Sequence, residues 1–231
     1  NPSFGIKGTF LIAHLVLKKY GAFITFDVIN IVISAIALTS FPLLILWQFG
    51  ERDAGMYSLA SRLVFLPVEV FSGAIATVFF QRSSEAIRSE KSILPLFYKT
   101  LLASVVLVTT IASMIIFLGP PLIHLFLSDK WQDASNILVW LIPIFLTRFV
   151  VGSLASTSLA LKRPQLQSGW NICQILVIAI SFSLSFDEGL RKFLLVSGFG
   201  FFTCGLGYIL LLLFAIYYTE RNGRSANATP H

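Results

Sequence analysis

Six long runs of predominantly apolar residues follow one another along the chain, at about 23–48, 56–80, 100–118, 137–161, 166–184 and 193–218. A hydrocarbon layer about 30 Å thick is crossed by about 20 helical residues rising about 1.5 Å each, so every run can span a bilayer as one helix. A closed barrel would show segments of about ten residues alternating apolar and polar, whereas these runs are apolar on most sides. The expectation is an all-α integral membrane protein with six transmembrane helices. Composition agrees: 56% of the 231 residues are hydrophobic and only 12% charged. Soluble domains carry about 25% charged residues, and half that density cannot cover a globule. A soluble enzyme and a disordered or fibrous chain are excluded.

Lys and Arg in the connections set the orientation, because basic residues are retained on the cytoplasmic side. One side collects eleven: Lys7, Lys18, Lys19, Arg82, Arg88, Lys91, Lys99, Lys162, Arg163, Arg221 and Arg224. The other holds four, Arg52, Lys130, Arg191 and Lys192, together with acids such as Glu51, Asp53 and Glu188. Both termini are therefore expected in the cytoplasm, membrane lipids surround the spans, and the net charge of +6 reflects topology, with no nucleic acid as partner. The expected organisation is 1–20 a cytoplasmic linker with an interfacial helix, 21–218 the six-helix lobe, and 219–231 a cytoplasmic tail. Asn1 follows neither an initiating Met nor a signal pattern, so a preceding segment is expected. Between spans, 82–99 reads as a helix extension plus a short surface helix ending near Pro95. Gly119, Pro120 and Pro121 read as a helix interruption before an interfacial element anchored by Trp131.

A charge at mid-bilayer costs about 2.5–3.5 kcal/mol even on lenient scales, so a span that contains one turns it toward protein or a wet cavity. Arg62 and Glu69 stand seven residues apart, nearly two turns, on one face about 10 Å apart along the axis. Ser58, Ser72 and Gly73 share that stripe, and Pro67 lies between the charges as a potential kink. Arg148 sits too deep in its span to reach water by snorkelling. Asp27, Asn30 and Ser34 form a wet face on the first span, as do Gln167, Asn171 and Gln174 on the fifth, where interhelical hydrogen bonding is an equal alternative. Candidate substrate-binding residues are thus Arg62, Arg148, Asn171 and Gln174; Glu69 and Asp27 are candidates for charge pairing or ion coupling. The glycines Gly198, Gly200, Gly205 and Gly207 read as close helix packing and not as a phosphate loop.

No catalytic residue, metal site or cofactor is expected; proton or sodium coupling is the one accessory role foreseen. His14, His124 and His231 are scattered without metal-ligand spacing, and Cys173 and Cys204 read as small core residues with no disulfide framework. A transporter is preferred to an enzyme.

The run FGERDAGMYSLASRL at 49–63, continuing through Leu66-Pro67 to VFFQRSSE at 78–85, resembles polysaccharide flippases of the Wzx type. These belong to the multidrug, oligosaccharidyl-lipid and polysaccharide exporter superfamily. SDKWQDA at 128–134 is similar to an outer-loop G-x-x-W-x-x-A pattern, with Ser128 or Asp129 where Gly is usual. The resemblance implies a MATE-like transporter of two six-helix lobes, of which this chain is the C-terminal one. It further implies alternating-access flipping of an undecaprenyl-pyrophosphate-linked oligosaccharide across the bacterial inner membrane. The partners implied are that lipid-linked oligosaccharide, an N-terminal lobe and polysaccharide assembly proteins. A multidrug exporter of the same fold, and a membrane-embedded glycan polymerase or ligase, remain as alternatives.

Overall fold

The computed structural model describes residues 6–126, 132–186 and 188–227; within these, the side chains of residues up to 27, of 29, 38, 122–124, 126, 132, 133 and 222–227 are outside that description, and Trp131 lies outside it altogether. Among the described residues every regular element is helical: α1 (Ile6–Arg88), α2 (Leu94–Phe126), α3 (Gln132–Trp140), α4 (Ile142–Leu154), α5 (Ser156–Ala160), α6 (Gln165–Leu184) and α7 (Leu190–Asn227). Among the described residues five helices are long and apolar enough to cross a membrane, and the first of them, 59 residues over Asn30–Arg88, is long enough to do so twice. Within α1 the helix breaks at Gly50, whose φ of 87° and ψ of 177° suit glycine alone. The rings of Phe41 and Tyr57 lie 5.6 Å apart. On an unbroken helix sixteen residues would separate them by about 24 Å. α1 is therefore a hairpin with arms at 6–49 and 51–88, and six passes result. Leu43, Leu66, Leu102, Phe117, Phe199 and Phe214 point outward, while Phe79, Phe97, Phe145, Phe149 and Phe193 fill the interior. An apolar exterior of this extent is stable only in lipid.

Three expectations about the connections need correction. Pro95 begins a helix and does not end one: the chain turns after Arg88, with Glu90 at φ 53°, and α2 starts at Leu94. A proline in the first turn loses no hydrogen bond, because its N–H would have no partner there. Gly119-Pro120-Pro121 does not interrupt α2, which continues to Phe126. Proline's fixed φ is itself helical, so the chain can stay helical through the pair although each ring removes a donor and crowds the carbonyl four residues back. Gly119 permits a close approach: a Cβ there would stand 3.1 Å from Leu138 Cδ2. The fourth pass, expected as one helix, is divided at Leu141 and Ala155. Hydrogen bonds still cross Leu141, from its N–H to the Ile137 carbonyl at 3.0 Å and from Phe145 to the Leu141 carbonyl at 2.9 Å. Pro143 supplies no N–H beyond it, and at Ala155 the bond tightens to Gly152.

α4 is the central pass, in contact with α1, α2 and α7. It runs parallel to the second arm of α1: Phe65 neighbours Arg148, Ser72 neighbours Gly152, and Ser156 Oγ donates to the Ala76 carbonyl at 2.9 Å. The glycines of α7 serve close packing, as expected. Gly198 abuts Pro143, Gly200 abuts Val177 and Gly205 abuts Thr147, whereas Gly207 faces open space. Cys173 and Cys204, read above as unlinked, form a disulfide between α6 and α7 with Cα atoms 6.7 Å apart. Thirty-one residues of sequence separate them, and only the antiparallel pairing of the two helices brings them together.

Candidate functional site

A cavity of about 200 Å³ opens where the hairpin of α1 meets α4, α6 and α7. Tyr57, Ser58, Ser61, Arg62 and Phe65 come from the second arm, one face of a helix whose turns repeat at three and four residues. Ala37, Phe41 and Pro42 come from the first arm, Ile144 and Arg148 from α4, Gln174 and Ile178 from α6, and Phe201 from α7. Three of the four substrate-binding candidates, Arg62, Arg148 and Gln174, are thus brought to one cavity by three different helices.

The guanidinium of Arg148 lies over the Phe65 ring, 5.3 Å from its centroid, a contact that attracts a cation without neutralising it. Among the described residues it has neither an ion pair nor a hydrogen-bond acceptor, although a guanidinium offers five N–H donors. Tyr57 and Glu69 are near enough to act on its charge. Arg62 lies on the exposed side of the cavity wall. The site therefore has two cationic groups, three hydroxyls (Tyr57, Ser58 and Ser61) and an amide set among aromatic rings. That donor-rich set suits an anion with several oxygens, and the rings suit apolar or sugar faces.

The remaining candidates fall elsewhere. Asn171 is buried in the seam between α1 and α6, where its Nδ2 donates to the Asn30 carbonyl at 3.3 Å. Gln167, on the same stripe, accepts from the Tyr208 hydroxyl at 3.0 Å. Glu69 is exposed on the second arm, and among the described residues no ion pair joins it to Arg62. Asp27's side chain lies outside the described residues.

Two functional-looking residues escaped the sequence reading. Tyr57 lines the cavity four residues before Ser61, a helical spacing that could have placed it there. Glu220, at the end of the last span, caps α2. Its carboxylate lies 2.8 and 2.9 Å from Ser92 Oγ and 2.9 Å from the Ile93 N–H. No sequence signal links positions 128 residues apart.

Six apolar passes around a small, donor-rich recess define a multi-pass, all-α membrane protein. The chain belongs to the polysaccharide biosynthesis protein family, whose profile matches residues 11–136, more than half of its length. No curated protein and no solved structure matches it. The matched region includes Arg62 and Glu69 and ends before Arg148.

Proposed function

We propose that this chain is the C-terminal lobe of a Wzx-type flippase. Such a lobe works with an N-terminal one to move an undecaprenyl-pyrophosphate-linked oligosaccharide across the bacterial inner membrane by alternating access. It carries no catalytic group and no cofactor. Arg148 and Arg62 hold the anionic pyrophosphate, Gln174 and the serines help orient it, and both termini lie in the cytoplasm. Asn171 positions the α1–α6 seam beside the site. Glu69, with Asp27, is the candidate for proton or sodium coupling.

The observation that supports this reading is Arg148, a guanidinium over the Phe65 ring that forms no ion pair among the described residues, Glu69 acting on it only from beyond ion-pair distance. A charge so placed costs several kcal/mol unless a ligand repays it. The multidrug alternative is less well supported, because among the described residues the charged side chains lining the cavity are Arg62 and Arg148.

The test uses a strain lacking the endogenous flippase and supplied with this chain plus its N-terminal lobe. Replacing Arg62 with Gln is expected to leave lipid-linked intermediate accumulated on the cytoplasmic face. Replacing Arg62 and Glu69 together by Gln is expected to give a stable but inactive protein. Restored transport in the double variant would reduce Arg62 to a structural partner of Glu69. For orientation, a cysteine at Asp53 is expected to react with an impermeant thiol reagent outside intact cells and one at Ser89 is not; the reverse labelling would overturn the topology.

A further inference from the structure

The register of α6 against α7 is fixed by contacts on both sides of the cysteines. On one side a Cβ at Gly200 would come within 2.7 Å of Val177 Cγ1, so the α7 backbone packs directly on the Val177 side chain there. On the other, the Tyr208 hydroxyl is bonded to Gln167 at 3.0 Å. In an antiparallel pair, moving one turn forward on one helix corresponds to one turn back on the other. Four residues on from Gly200 is Cys204, and four back from Val177 is Cys173. Helix packing alone therefore brings these two together, with a Cα separation of 6.7 Å, inside the range of about 4.4–6.8 Å that a disulfide bridges. Both cysteines are half-buried. Neither lines the cavity, but their neighbours do: Gln174 follows Cys173 directly, and Phe201 lies one turn before Cys204.

We propose that Cys173 and Cys204 are a redox-active pair whose disulfide braces the α6–α7 wall of the cavity, holding Gln174 and Phe201 at a fixed separation. In forming the bond, the two thiols give up two protons and two electrons. Dioxygen dissolved in the bilayer accepts them and becomes hydrogen peroxide. A membrane-permeant dithiol returns protons and electrons to the sulfurs and closes into its own cyclic disulfide. Oxidised, the wall is covalently continuous at mid-membrane; reduced, it is held by non-covalent packing, including Gly200 on Val177, Trp170 against Phe201 and Tyr208, and Phe182 against Phe193. The consequence for ligand binding rests on the transport reading above, whereas the bond and the brace do not.

The chain has two cysteines, so its thiols can be counted directly. Full-length protein in membranes from aerobically grown cells is blocked with N-ethylmaleimide, reduced, and then labelled with a maleimide of high mass. Two tags that appear only after reduction are expected; two thiols blocked before reduction would overturn the proposal. For the purified chain, reduction is expected to lower the apparent Tm by several degrees and to leave the Cys173→Ser/Cys204→Ser variant unchanged. An equal response of both proteins would remove the brace. Titration with inorganic pyrophosphate is expected to show several-fold weaker binding after reduction. Binding that is equal in both redox states contradicts the wall's control of the cavity. Absence of binding in both states overturns the pyrophosphate reading, and the tags and Tm then decide the brace alone.

Discussion

Glu220 and Arg148 are both charged side chains on long apolar passes, and the protein treats them in opposite ways. Glu220 stands at the basic end of α7, where its two carboxylate oxygens accept from the Ser92 hydroxyl and the Ile93 N–H. The Leu94 N–H in turn donates to Ser92 Oγ at 3.2 Å. The carboxylate thus sits at the N-terminus of α2, where unpaired N–H groups and the helix dipole favour negative charge. Arg148, in the middle of the central pass, has an aromatic ring on one side and the cavity on the other. A charge whose hydrogen-bonding capacity is used up within the protein holds two helices together. A charge whose capacity is left open toward a cavity is suited to bind a ligand.

The largest effect is expected from Arg148→Gln. Transport of the lipid-linked intermediate should be lost with membrane abundance unchanged, because the substitution removes a mid-membrane charge and breaks no bond to a described residue. Arg148→Lys should keep part of the activity, since an ammonium retains the charge but not the planar fork. Loss of the folded protein in either variant would erase the distinction from Glu220. Glu220→Gln should act in the opposite sense, lowering stability by about 1.5–3 kcal/mol, the scale of hydrogen bonds to a charged group. Transport should fall only in proportion to protein lost, as measured by activity normalised to membrane abundance. The smallest effect is expected from Ser92→Ala, about 1 kcal/mol, because the Ile93 N–H still reaches the carboxylate. A Ser92→Ala effect as large as that of Glu220→Gln would mean that the hydroxyl alone carries the clasp.

What the sequence made legible depended on the range of the interaction. The six passes could be read directly, because apolar length is a property of each segment taken alone. So could the Arg62 and Ser58 face, set by helical periodicity, and the packing role of Gly198, Gly200 and Gly205. Pro120 and Pro121 misled because a proline's local cost says nothing about whether neighbouring helices carry the chain onward; here α3 packs Leu138 against Gly119. Cys173 with Cys204, and Glu220 with Ser92, were hidden for a different reason. Each pair meets only through the register of two helices, which no single segment encodes. Asn171 and Gln174 show the same limit within one stripe: they are one turn apart, yet one fills a seam and the other lines the cavity.

Whether the cavity's charge is kept for a ligand is tested most directly by measuring pyrophosphate binding and thermal stability together on three purified full-length proteins: wild type, Arg148→Gln and Glu220→Gln. Arg148→Gln is expected to melt at the wild-type temperature or above and to lose pyrophosphate binding. Glu220→Gln is expected to melt several degrees lower and to bind as the wild type does. Undiminished binding by a folded Arg148→Gln protein would contradict the assignment of the guanidinium to an anionic ligand.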